Sequence, residues 1–370
     1  PMKLRTFWAS LPGMDFDAPG KRKKRGGRGW YYIRIKMDIT SFTPEQSAGQ
    51  RLMAGFDGIA LNPELKYLID TLKVGGIILF AGNIIDPDQI KNLCVSMQDH
   101  ARSMGQPPLL IAVDQEGGKV ARLKEPFTRF PGNPSMKGVE DAVFFAKTTA
   151  KELAGVGINM NLAPVMDVAP KDINSVMADR AFGHDPDRVS HLGSAVIEHL
   201  QAEYIMAVAK HFPGIGRTVL DSHLELPDLD IDMDAAKGFD LLPFKAAIAH
   251  DVAGIMLSHI RYKGIDPDWP ASLSKIIAED LLRGQMGYGG VVMTDDLDMG
   301  AIQKHYDLKT AIGRILSAGI DMPLICHAGP DIENAFREIF DVQKRSYSMK
   351  AKGMKSLERI MKLKAKYLKP

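Results

Sequence analysis

Eight short apolar runs, each followed by a longer stretch with apolar residues at intervals of three and four, constrain this chain more than any other feature. The runs are Arg51 to Phe56, Gly76 to Phe80, Leu109 to Val113, Gly157 to Leu162, Ile205 to Ala209, Ala253 to Leu257, Gly290 to Met293 and Ile320 to Ile325. Runs of this length bounded by turn residues read as strands, and the periodic stretches between them as helices. The helical stretches include Asp86 to Ser103, Val139 to Ala154, Pro186 to Ala202, Ala235 to His250, Ser274 to Gln285 and Thr310 to Ala318. Asp86-Pro87 and Asp185-Pro186 each place a capping acid before a proline suited to the first helical turn. Eight such units predict an α/β fold, a single-domain (β/α)8 TIM barrel. A doubly wound open sheet is the alternative.

Other features limit the chain's class. The balance of 47 basic to 45 acidic residues creates no global field for nucleic acid or membrane. Residues 1–36 nevertheless hold ten Lys and Arg against only Asp15 and Asp17. Residues 1–40 are therefore set apart as a basic leader, disordered or non-native, and 41–370 as the catalytic barrel with C-terminal helices. The stretch from Asp331 to Pro370 reads as two helices, the second rich in Lys and Met, packed on the barrel's outside. Two distant cysteines, Cys94 and Cys326, argue for a reducing compartment. With no apolar run long enough to span a bilayer and no signal-peptide pattern, the cytoplasm is expected.

Chemistry concentrates between Lys210 and His223, where two His, a Lys, an Arg and an Asp share a segment broken by Pro213, Gly214 and Gly216. It reads as a strand end feeding a mobile loop. Other expected strand ends carry Asp114-Gln115-Glu116 with Arg122, Asp167 with Arg180, Ser258-His259, Asp295-Asp296 and His327. Taken singly, Asp114 could be a turn residue and Asp296 a helix cap. Together they would be costly at one mouth without a polar ligand. Gly214-Ile-Gly216 lacks the third glycine of a nucleotide loop. His211, His223, His259 and His327 could share a cavity, but no metal-binding spacing links them, so neither metal nor cofactor is expected. Carboxylate and imidazole chemistry on a polyhydroxylated substrate remains.

These blocks resemble a known family. Lys210-His211-Phe-Pro-Gly-Ile-Gly216 with Asp221-Ser222-His223 is similar to the signature of bacterial β-N-acetylhexosaminidases of glycoside hydrolase family 3. Val113-Asp114-Gln-Glu-Gly-Gly-Lys-Val-Ala-Arg122, Asn161-Leu-Ala-Pro-Val-Met-Asp167, Arg180-Ala-Phe-Gly-His-Asp-Pro186 and Met293-Thr-Asp295-Asp look like its remaining blocks, in order. The resemblance implies a retaining glycosidase. Asp295 would be the nucleophile, His223 the general acid and base, and Asp221 its orienting partner. Asp114, Arg122, Arg180, Lys210 and His211 would hold the terminal sugar.

Many family members draw the acid from a second domain. Only 75 residues follow Asp295, so here the barrel's own loop is expected to supply it. An imidazole can protonate the leaving oxygen and later deprotonate water. Ile215, where the family often has His, and Lys119, where Arg is common, are departures that bear on leaving-group preference. The implied function is release of N-acetylglucosamine from peptidoglycan fragments by a cytoplasmic monomer, with a small carbohydrate as its partner and neither nucleic acid nor membrane. The rivals are a β-glucosidase, a metal-dependent hydrolase and a non-catalytic muropeptide binder.

Overall fold

The computed structural model describes residues 39–222 and 224–368, so the leader, apart from Ile39 and Thr40, and His223 lie outside the described residues. Eight parallel strands close into a barrel in sequence order. They are β1 (Met53–Ala54), β2 (Gly76–Leu79), β3 (Leu110–Val113), β4 (Met160–Asn161), β5 (Met206–Phe212), β6 (Gly254–Leu257), β7 (Val291–Asp296) and β8 (Met322–Ile325). Met53 pairs with both Gly76 of β2 and Leu324 of β8, which closes the ring.

Parallel strands covered on both faces need apolar residues throughout, and the twofold alternation then sorts them. In β3, Leu110 and Ala112 join the interior cluster, whereas Ile111 and Val113 pack outward. In β7, Val291 and Met293 face inward and Val292 outward. The flanking helices include Pro87–Ser103, Val139–Gly155 and Pro186–Ala202. Asp86 accepts from the Gln89 N–H at 2.8 Å and Asp185 from that of Asp187 at 3.0 Å, as their sequence positions predict.

Three differences from the sequence reading have physical causes. Strands β5 and β7 continue three residues beyond the apolar runs, to Phe212 and Asp296. Irregular registers, Ala209 to Phe212 against β6 and Met293 to Asp296 against β8, keep these polar residues paired. The expected helix from Ala235 to His250 breaks into Met233–Gly238 and Leu242–Ala249. Gly238 and Pro243 flank the break, which turns Asp240 into the protein.

The last helix, Tyr347–Tyr367, packs on the outer helices at its start, where Lys352 bonds to Glu279 and to the Ser317 carbonyl, and joins the barrel's interior cluster at its end. Its Ile360, Met361 and Leu363 join Met53, Ala253 and Val291, which lie at or beside strand starts. Leu357, Ile360, Met361 and Lys364 fall at helical spacing on one buried stripe, so a residue expected to face water is enclosed. Lys364 Nζ donates to Gln50 Oε1 at 2.7 Å, yet burial pushes its pKa from 10.5 down to about 7. Between those pH values the unfolded chain binds more protons at this site, so its contribution to stability rises with pH. Chemical denaturation at pH 7 and pH 9 is therefore expected to show Lys364→Met gaining most over the wild type at pH 7. An equal difference at both pH values would refute this.

Candidate active site

The polar mouth is built from strand ends. Beyond β3, Gln115–Gly117 turns back on Val120–Ala121 through Gly117 and Gly118, whose φ values of +86° and +63° favour glycine. Residues two apart in an extended segment share a side, and Asp114 and Glu116 both meet Lys210 of β5. Lys210 Nζ lies 2.7 Å from Asp114 Oδ1 and 2.7 Å from Glu116 Oε1. Arg122 donates to Asp114 Oδ2 at 3.2 Å. Arg180 forks onto Glu116, with Nε to Oε2 at 3.0 Å and a terminal nitrogen to Oε1 at 2.7 Å. Three cations thus alternate with two carboxylates.

The alternation keeps these buried groups charged. Burial alone would raise the pKa of Asp114, but Lys210 and Arg122 outweigh it and hold the carboxyl at about 2. Glu116 is lowered despite burial, through Lys210 and Arg180. Burial disfavours the Lys210 ammonium, yet Asp114 and Glu116 raise its pKa.

His211 follows on β5. Its Nδ1 lies 2.7 Å from Asp167 Oδ2, so it carries a proton towards that carboxylate. Its Nε2 is 3.5 Å from a terminal nitrogen of Arg180. Asp167 also accepts from the Ile215 N–H at 2.8 Å. Burial would raise the pKa of Asp295 on β7, but His211, the Asp296 N–H and Lys210 are among the groups that lower it. That N–H donates to Asp295 Oδ1 at 2.8 Å. The result is a half-buried carboxylate that stays ionised.

Asp114, Arg122, Arg180, Lys210 and His211 therefore form one connected group through Glu116, and Asp295 lies near enough for the charges of His211 and Lys210 to act on it. Glu116, Asp167 and His259 belong beside them, although the sequence reading noted them only as strand-end residues without roles. Spacing two beyond Asp114 was the available signal for Glu116. Burial pushes the pKa of His259 down, favouring its neutral form. Its Nε2 donates to the Asp296 carbonyl at 2.8 Å, and its Nδ1 lies 2.7 Å from Ser272 Oγ. Both ring nitrogens are engaged, which leaves neither for a metal.

Asp296, Asp298 and His327 place possible ligand atoms within 4.8 Å of one another. Main-chain bonds account for this cluster: Asp296 Oδ1 accepts from the Asp298 and Cys326 N–H groups, and Asp298 Oδ2 from that of His327. These bonds tie the ends of β7 and β8 together. Phe80 packs between the Arg122 guanidinium, 5.4 Å from its ring centre, and the His327 ring at 6.4 Å.

The segment after β5 corrects another expectation. Gly214 and Gly216 do not mark a wholly mobile loop, because they permit close packing. A Cβ on Gly216 would lie 1.8 Å from the Val168 carbonyl oxygen, and Gly214 has φ +125°. Ile215 is buried, and Arg217 grips the inturned Asp240 at 3.0 and 3.1 Å with Phe239 beneath it. Beyond Thr218 the chain emerges: Val219 and Leu220 are exposed, as is Asp221. Lys119, the other departure noted in the sequence, pairs with Asp179 at the surface.

A parallel barrel with an ionised acid and a charged cradle at the C-terminal ends of its strands has the layout of a (β/α)8 enzyme, with the polar groups where such barrels carry their active sites. The chain belongs to glycosyl hydrolase family 3, since residues 42–363 match the model of that family's N-terminal domain. It is 36% identical over 299 residues to a β-hexosaminidase of Alkalilimnicola ehrlichii, covering 78% of this chain and 84% of that one. Among solved structures it resembles a family 3 β-N-acetylglucosaminidase from Paenibacillus, with a TM-score of 0.85 and 34% identity. That match covers 88% of this chain but 63% of the Paenibacillus protein, so the chain spans less than two thirds of it. A β-N-acetylhexosaminidase from Beutenbergia cavernae matches with a TM-score of 0.81 and 29% identity, over 87% of this chain and 98% of that one.

Proposed function

We propose that the protein is a retaining exo-β-N-acetylglucosaminidase that releases terminal N-acetylglucosamine from peptidoglycan fragments. The observation that carries this reading is the Asp295 carboxylate, kept ionised at the mouth beside a cradle able to hold sugar hydroxyls. Asp295 attacks the anomeric carbon and forms a glycosyl-enzyme, and water then releases the sugar with its β configuration retained. His223 protonates the leaving oxygen in the first step and deprotonates water in the second, with Asp221 orienting its ring. Asp114, Arg122, Arg180, Lys210 and His211 hold the sugar, the carboxylate of Asp114 accepting from hydroxyls and the cations donating to them.

The β-hexosaminidase and β-N-acetylglucosaminidase names of the relatives support the N-acetyl preference over a β-glucosidase. Two unpaired, buried thiols support a reducing cytoplasm, and among the described residues no helix is long and apolar enough to cross a membrane. The test compares chromogenic β-N-acetylglucosaminide and β-glucoside with wild-type protein and with His223→Ala. The acetamido sugar is expected to turn over faster, and His223→Ala to lose about a hundredfold in kcat. Faster turnover of the glucoside would overturn the substrate assignment, and an unimpaired His223→Ala the proton-transfer assignment.

A further inference from the structure

The arm that follows the buried Gly214–Thr218 segment is tied to the chain leaving the nucleophile strand. Beyond Asp295 and Asp296, β7 leads into a short helix, Gly300–Gln303, followed by Lys304 and His305. The Ala301 N–H donates to the Ser222 carbonyl at 3.2 Å. Lys304 Nζ donates to the Leu224 carbonyl and to Glu225 Oε1, both at 2.6 Å. His305 Nε2 lies 3.8 Å from the second Glu225 oxygen. The residues on either side of position 223 are thus both bonded to the segment that begins at Asp295. Within the arm, the Leu224 and Glu225 N–H groups return to the Asp221 carbonyl at 3.0 and 3.2 Å, so the tie acts on one compact turn.

We infer that Lys304 is a positioning residue for proton transfer, holding the arm that carries Asp221 and His223 at a fixed distance from the carboxylate of Asp295. The inference rests on the acid–base reading of His223 given above. Lys304 touches neither substrate nor reacting atoms. Its side chain is half exposed, so the ion pair with Glu225 is weak by itself. The hydrogen bonds to the Leu224 and Ser222 carbonyls add direction, because they hold main chain rather than a mobile carboxylate. Displacing a proton donor by an ångström is enough to impair transfer to a glycosidic oxygen. The same displacement leaves attack by Asp295 on a substrate with a self-sufficient leaving group unaffected.

The test uses two substrates of the full chain: a disaccharide of N-acetylglucosamine, whose leaving oxygen needs a proton, and the dinitrophenyl β-N-acetylglucosaminide, whose leaving group does not. Lys304→Met is expected to lower kcat/KM for the disaccharide by about tenfold and for the dinitrophenyl glycoside by less than about twofold. Its thermal midpoint should match that of the wild type, as expected for an exposed contact. Glu225→Gln, which leaves the Leu224 bond in place, should lose about threefold on the disaccharide, and Lys304→Arg should recover most of the activity. Equal losses on both substrates, or no loss on the disaccharide, would overturn the inference. His223→Ala separates the two levels: if it discriminates strongly between the substrates and Lys304→Met does not, the positioning role alone falls. If His223→Ala itself fails to discriminate, both readings fall.

Discussion

Asp295→Asn is expected to lower kcat for a β-N-acetylglucosaminide by at least about a thousandfold while leaving the fold intact. An amide is nearly isosteric with the carboxylate but cannot form the ester linkage to the sugar. The change is tolerable structurally because the Asp296 N–H that donates to Asp295 Oδ1 can equally donate to an amide oxygen. The wild-type pH profile belongs to the same prediction. Because His211, Lys210 and the Asp296 N–H are among the groups that outweigh burial and lower the pKa of Asp295, the proposed nucleophile remains ionised as the medium becomes acidic. The acid limb of kcat/KM attributable to it should therefore lie below the usual carboxylate range. Circular dichroism of the variant, kinetics of both proteins and the pH profile together check the prediction.

Lys210→Met has the second large effect, on stability as well as activity. Lys210 is 2% exposed and bridges the half-buried Asp114 and the buried Glu116, so its loss leaves each carboxylate with a single arginine, Arg122 or Arg180. Leaving a buried charge wholly unpaired costs about 3–5 kcal/mol, which is an upper bound here because each carboxylate keeps an arginine. The sign with pH follows from the shifts. In the wild type both carboxyls have lowered pKa values, so their contribution to stability is present above the unfolded values of 3.8 and 4.5 and is lost as pH falls through the lowered ones, about 2 for Asp114. In the variant, burial is less opposed and the pKa values rise, so the penalty is greatest at neutral pH and shrinks below about pH 4. Urea unfolding at neutral and acid pH measures this. A deficit that stays constant with pH would contradict it. Activity should fall by at least about a hundredfold, because the displaced Asp114 no longer presents its oxygens to the sugar.

The barrel was legible in the sequence because parallel strands buried on both faces are mainly apolar, and the eight runs in this chain are, with Arg51, Asn159, Asn161 and Asp321 as their polar members. What escaped detection was polar. The apolar signal stops at Ala209 and Met293, so the reading ended β5 and β7 there, yet irregular pairing carries both strands on and places Lys210, His211 and Asp295 within them. These side chains are held by a sheet and not by loops. Gly216 looked like freedom and proved to be close contact, a distinction that depends on the Val168 carbonyl some 48 residues away in sequence. Lys364 was hidden for the same reason: composition gives a lysine-rich surface, but its place on the stripe from Leu357 puts it under the barrel.

The six site residues that the structure brings together were all named from sequence. Their partners Glu116, Asp167 and His259 were seen only as neighbours, since charge balance among buried groups is a property of three-dimensional packing. The arm that carries Asp221 is tied to the chain beyond β7, the Ser222 carbonyl accepting from the Ala301 N–H and the Leu224 carbonyl from Lys304. The proposed mechanism needs both parts: a rigid cradle with its ionised acid, and an arm that delivers the proton.

The claim at the centre of this account is that Asp295 becomes covalently bonded to the sugar. The direct measurement is peptide mapping by mass spectrometry after reaction with a fluorinated N-acetylglucosaminide that carries a good leaving group, for which breakdown of the intermediate is slow. One added sugar per chain is expected, located on the peptide containing Asp295 and absent from Asp295→Asn. Turnover of the same reagent with no adduct on that peptide, or attachment at another residue, would contradict it.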